Sequence, residues 1–577
     1  MKKSKIALLV AATLVAGSAM AASSENVANV NQSGSANNAL VTQVDQSNQN
    51  NAGISQTGDS NNAVTTQART SSTTASTTQV GNGNAGFINQ SDATATATAT
   101  IATEGDNNTA TITQKLNNQQ SAAALVTQNG DDNNATITQN NADAAQSTID
   151  QNGSGDTAEI NNFWSDNADA TITQNIGAGN DALISQDTSD AATAALTQSG
   201  EGNIGRINQD TGNFGHSAGS DDTSASLTQN GVGNQGTINQ NAMHNTASVD
   251  QDGNSNQAIV TQNAESNSAT VGQIGDSNVA LVTQDGVGAT AGVSQNGTSN
   301  NAVVSQFDGA NTASVDQDGT GNLASVSQHS SGNSATVTQN GIGNNASVNQ
   351  FDMGNMAEVD QQGDGNFANV TQSAGTGTGA NKATVSQLGD NDSATVAQVG
   401  SNNEAVVRQA ANSHDNTISI NQTGTDNYAG AASQFGGGSS ISISQDGSRN
   451  RVANSPMAEN YYGADIGAGT YGAGNTVAIT QTGEDNLAYA DSAHENSSVD
   501  IMQVGEFNSA AVESWVGQNN DLDVVQVGDN HIADVYVRGG SYNTVAVTQY
   551  DSSNQAYVTS MGSNNTAIVN QGTPSSN

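Results

Sequence analysis

Residues 317–328 read QDGTGNLASVSQ, residues 339–350 read QNGIGNNASVNQ and residues 361–372 read QQGDGNFANVTQ. Each stretch ends on Asn-x-Ala-x-Val-x-Gln: Asn322, Ala324, Val326 and Gln328, then Asn344, Ala346, Val348 and Gln350. Strict alternation is the period of a β-strand, so these four residues share one face. The residues between them are mostly Ser, Thr, Asn and Asp, which suit water. Ahead of each strand stands Gln-x-Gly-x-Gly-Asn, with Gly319, Gly341 and Gly363 in the same place. That is turn chemistry, because Gly and Asn tolerate left-handed backbone angles.

Working outward, Gln recurs every 11 residues from Gln229 to Gln372, fourteen times in register. Alternate Gln form two classes. Gln306, Gln328 and Gln350 belong to one, and Gln317, Gln339 and Gln361 to the other, so the unit is strand, turn, strand, turn in 22 residues. A parallel β-solenoid with two strands per 22-residue rung stacks each residue on its equivalent one unit later. Identical Asn and identical Gln then form columns about 4.8 Å apart, in which each side-chain amide can donate to one rung and accept from another. An antiparallel meander would give the strict identity no such purpose. The expected fold class is therefore all-β, cross-β and solenoidal. One rung alone buries too little to fold, so stability must come from neighbours above and below.

Composition excludes much else. Hydrophobic residues are 33% and aromatics 3%, too few for a conventional core, and the formal net charge of −42 would signal disorder if the arrangement were not periodic. The acid excess, 53 Asp and Glu against 11 Lys and Arg, disfavours nucleic acid as a partner. There is no Cys, hence no disulfide or thiolate metal site, and two Pro leave the backbone free to pair. In one outward column, Asp250, Asp316 and Asp360 are separated by uncharged residues, which keeps stacked carboxylates apart.

Residues 1–21 read as a signal peptide: Lys2, Lys3 and Lys5, then the apolar run Ile6 to Val15, then Ala19-Met20-Ala21, with cleavage expected between Ala21 and Ala22. This predicts a secreted chain with no integral membrane segment. Residues 22–228 hold irregular repeats, 229–445 regular ones, and 475–577 divergent ones in which alternate strands lose Gln. Residues 446–474, with Arg449, Arg451, Pro456, Tyr461, Tyr462 and Tyr471, break the pattern and are expected to protrude as a loop. Trp515, Tyr536 and Arg538 suggest a cap.

The units resemble the curlin family, the subunits of bacterial curli fibres, with the pattern S-x5-Q-x-G-x-G-N-x-A-x3-Q. Gln317 to Gln328, Gln339 to Gln350 and Gln361 to Gln372 match it, with Asn311, Asn333 and Asn355 in place of the leading Ser. The chain is several times longer than a usual curlin. The resemblance implies export through the periplasm to the cell surface and self-association into amyloid fibres for adhesion and biofilm matrix. It also implies a nucleator and outer-membrane export proteins as partners. The alternatives are a monomeric surface adhesin or stalk and an ice-binding solenoid. The last needs a continuous outward Thr-x-Thr array, which Ile259/Thr261, Leu281/Thr283 and Val303/Ser305 do not make. No catalytic constellation or cofactor motif is present. His216, His244, His329, His414, His494 and His531 lack metal-ligand spacing. The chain is expected not to be an enzyme.

Overall fold

The computed structural model describes residues 25–93, 96–115, 121–212, 222–373, 379–456, 462 and 465–573. The signal-peptide reading, with Ala21 and Ala22, lies outside them. The chain divides into two compact units, Met1–Gly288 and Ala289–Asn577. Each is a parallel β-solenoid with two strands per rung, and among the described residues neither contains a helix.

In the first unit, strands Val27–Ser33, Asn51–Thr57 and Thr74–Val80 begin one ladder, and Asn38–Val44, Asn62–Ala68 and Ala85–Ser91 begin the other. In the second unit, Thr290–Thr298, Thr312–Thr320 and Ser334–Ile342 open the first ladder, and Asn301–Gln306, Leu323–Gln328 and Asn345–Gln350 the second. These pairings are parallel and in register, residue on equivalent residue. The alternation decides the faces: Val326 is 1% exposed, whereas its neighbour Ser327 is half-buried.

Register survives irregular spacing. Gln198 reaches Gln229 across 31 residues at 2.9 Å, and Gln445 reaches Gln481 across 36 at 2.7 Å.

The core is two columns of small and branched side chains facing one another across the rung. Where a column gains bulk, the facing one loses it. A Cβ on Gly205 would stand 2.9 Å from Leu196, and one on Gly236 would stand 2.4 Å from Leu227. The Leu side chains occupy the space that an Ala methyl fills elsewhere, as close packing requires.

Residues 446–474 differ from the expected protruding loop. Arg451–Val452 pairs with Tyr428 and Ala429, and Ala468–Tyr471 pairs with Ala431 to Gln434. The extra residues thus leave one strand midway and return to it. The described part folds onto the outer face: Tyr462 and Ile466 pack against Val406 and Ala432, flanked by Tyr428 and Tyr471. The floor permits this because it is small. A Cβ on Gly469 would lie 2.0 Å from the Tyr462 ring, and one on Gly430 would lie 1.8 Å from the Asp465 carbonyl. Apolar burial then holds the segment down. Trp515 and Tyr536 do not cap the stack. Their strands, Ser509–Trp515 and Ile532–Arg538, are followed in the ladder by Gln555–Met561.

Candidate assembly site

The Gln columns run along each unit as chains of amides. Gln306 donates Nε2 to Gln328 Oε1, and Gln328 donates to Gln350 Oε1, both at 2.9 Å. The facing column links Gln317 to Gln339 and Gln339 to Gln361 at 2.8 Å. The second hydrogen of the same amide crosses the rung: Gln328 Nε2 also donates to the Thr312 carbonyl at 3.0 Å, and Gln317 Nε2 to that of Asn301. Gln328 and Gln317 are thus satisfied axially and laterally, which removes the cost of holding an amide away from water. In these columns the donor always points toward the higher-numbered rung, so the chain has a polarity.

The Asn columns work differently. Asn322 Oδ1 accepts the backbone N–H of Asn344 at 3.0 Å, and Asn322 Nδ2 donates to the Gly341 carbonyl at 3.1 Å. Asn344 repeats this with Asn366 and Gly363. The shorter side chain clamps the next turn's backbone instead of the next amide. That clamp needs the turns to stack closely. A Cβ on Gly319, at φ +124°, would sit 2.1 Å from the Gly341 carbonyl oxygen, and Gly341 stands in the same relation to Gly363. Ala324 and Ala346 stack in register beneath, as do Val326 and Val348.

The columns are interrupted in identifiable places. Thr103 stands between Gln79 and Gln128, and both its hydroxyl and the Gln128 Oε1 lack partners. Beyond Gln409 the first ladder replaces Gln by Ser433, Thr470, Ser492 and Ser514. Outward carboxylates also stack on adjacent rungs in places, against the spacing seen in the Asp250 column. Asp500 pairs with Asp523, and burial, then the Asp521 charge, holds both carboxyls above the usual range. Ion pairs link successive rungs, as in Arg69 with Asp92 at 2.6 Å and Lys382 with Glu404 at 2.9 Å.

Two rungs have an edge without a partner strand among the described residues. In the first unit, Val27–Ser33 and Asn38–Val44 pair on one edge only among the described residues. In the second, Gln555–Met561 and Thr566–Gln571 do the same. Gln571 accepts from Gln549 at 2.8 Å and donates to the Gln555 carbonyl at 2.9 Å. Among the described residues it makes no axial donation of the kind Gln328 makes. Asn37, Ala39, Val41 and Gln43 carry the same inward pattern that Asn565, Ala567, Val569 and Gln571 carry. The two rungs are chemically matched halves of one ladder step. An unpaired strand edge is a template for another chain.

The family model described as the curlin associated repeat matches residues 105–140, 221–253, 253–286, 310–341, 319–351, 378–410, 414–447, 495–528 and 517–550. No curated protein matches the chain.

Proposed function

This chain is a curlin-family protein with many repeats, a curli-like structural or adhesin protein, and from that premise we propose that it is a structural subunit of an extracellular amyloid fibre. The observation that carries this reading is the matched pair of open terminal rungs. Copies would join head to tail, with Gln571 of one donating to Gln43 of the next and the Asn-x-Ala-x-Val-x-Gln face continued across the joint. The polarity of the amide columns supports addition in one orientation. A rung gains most of its hydrogen bonds only with neighbours, so growth on an existing end is favoured over starting a new stack. Secretion, surface adhesion and biofilm matrix, with a nucleator and export proteins as partners, complete the proposal on family grounds.

The experiment is electron microscopy and X-ray fibre diffraction of the purified chain without residues 1–21. Fibres with a meridional reflection near 4.8 Å are expected. A protein that stays monomeric at all concentrations would overturn the fibre role and leave the monomeric adhesin or stalk.

A further inference from the structure

On the outer face of the second unit, a cavity of about 240 Å³ opens between the folded-back segment and the ladder. Its walls are aromatic: Tyr462 from the segment, Tyr471 from the strand that resumes after it, and Trp515 two rungs further on. Asp491, Ala493, His494 and Val516 complete the lining, with no lysine or arginine among the lining residues. Asp491 is 1% exposed on a face that is otherwise wet along most of the repeat, and its Oδ1 accepts the Tyr462 hydroxyl at 2.8 Å. In the next rung Glu513, 4% exposed, stands in register with Asp491 and accepts Trp515 Nε1 at 2.9 Å.

A carboxylate buried as deeply as that of Asp491 is unfavourable without a counter-charge. Aromatic faces around a carboxylate suit an organic cation, which is attracted by ring quadrupoles and by the acid together. We propose that this cavity binds a small organic cation of the quaternary-ammonium or alkylamine class, with Asp491 supplying the charge and Tyr462, Tyr471 and Trp515 the walls. The reading agrees with the effect of burial on Asp491, whose carboxyl is pushed up to about 7: a bound cation would favour the ionised form. It also gives the inserted segment a purpose, since Tyr462 is the wall that the repeat alone does not supply.

The test uses the chain carrying Trp164→Phe, so that Trp515 is the one remaining tryptophan, and titrates choline at pH 8 while following fluorescence. A saturable change is expected, at least tenfold weaker with Asp491→Asn. The uncharged isostere 3,3-dimethylbutanol should bind at least tenfold more weakly than choline. If Asp491→Asn loses its fold, as judged by circular dichroism, the comparison of choline with the isostere decides. No saturable choline response, equal binding of the isostere, or unchanged affinity in a folded Asp491→Asn chain would each overturn the proposal. So would tighter binding of a neutral sugar than of choline.

Discussion

Ser147 donates its hydroxyl to Asn162 Oδ1 at 3.1 Å, across the rung from one ladder to the other. Asn162 occupies a Gln position and is one methylene short of the column, while Ser147 occupies an Ala position. Gln139, which would have donated to a Gln at 162, donates to Ser147 Oγ at 2.9 Å instead, and Asn162 passes the chain on to Gln186 at 2.6 Å. Two departures from the repeat repair each other, which is what a continuous amide column demands.

Ser147→Ala should therefore destabilise the chain although it restores the consensus residue. It removes the donor to Asn162 Oδ1 and one acceptor of Gln139, whose Nε2 keeps the Ala123 and Ala145 carbonyls, at a cost of about 1–3 kcal/mol. Adding Asn162→Gln should recover most of the loss. Denaturant midpoints of the single and double variants check this, and additive losses would show that the bridge has no role.

Thr65 and Thr77 take positions held by Val41 and Ile88, and by Ile54 and Ile101, in the neighbouring rungs, and neither buried hydroxyl has a partner. Thr65→Val and Thr77→Val should each raise stability by about 1–3 kcal/mol, because shape is kept and an unsatisfied group is removed. The thermal midpoint reads the change directly, and a fall in either variant contradicts the assignment.

Gly236→Ala should destabilise by about 1–3 kcal/mol, through overpacking against Leu227. Leu227→Val in the same chain should relieve the clash, giving a coupling that a double-mutant cycle measures. Equal cost with and without Leu227→Val would mean that the two columns do not share the space.

Stability should be greatest in mildly acidic solution. Burial raises the carboxyls of Asp156, Asp166, Asp392, Asp500 and Asp523 above the ordinary 3.8, and that of Asp491 to about 7. The fold then binds protons more readily than the unfolded chain, so stability grows as pH falls from above 7 toward 4. Arg69 holds Asp92 below 3.8, and Arg449 does the same to Asp485. Their contribution is present above about pH 4 and is lost as they protonate below it. Denaturant midpoints at pH 8, 6, 4.5 and 2.5 should rise and then fall, whereas a steady decline from pH 8 to 4.5 contradicts the reading.

Much of this structure was legible in the sequence, because each column repeats one residue at one spacing. Gln306, Gln328 and Gln350 announce their own stacking. What was not legible depends on which residues face each other across the rung. Ser147 reads as an ordinary exception until Asn162 is seen opposite, and Gly236 as a weak repeat until Leu227 is placed beside it. The Asn side chains bond to backbone that carries no sequence signal beyond the invariant turn Gly. The folded-back segment is not legible in the broken repeat alone. Its signal lies in Tyr428–Gln434, YAGAASQ, whose outward Gly430 and Ala432 are too small and apolar for a wet face.

The central claim is head-to-tail stacking of the terminal rungs, and cross-linking tests it most directly. If Gln571 of one copy stacks on Gln43 of the next, Asn570 lies beside Thr42, at the Cα spacing of about 4.4–6.8 Å that a disulfide accepts. The native chain has no Cys, so Thr42→Cys with Asn570→Cys introduces the one possible pair. After assembly and mild oxidation, denaturing gels should show a ladder of multimers that collapses to monomer on reduction. The out-of-register pair Thr42→Cys with Thr566→Cys should give little. Monomer alone from the matched pair, or equal ladders from both pairs, would contradict end-to-end growth through these strands.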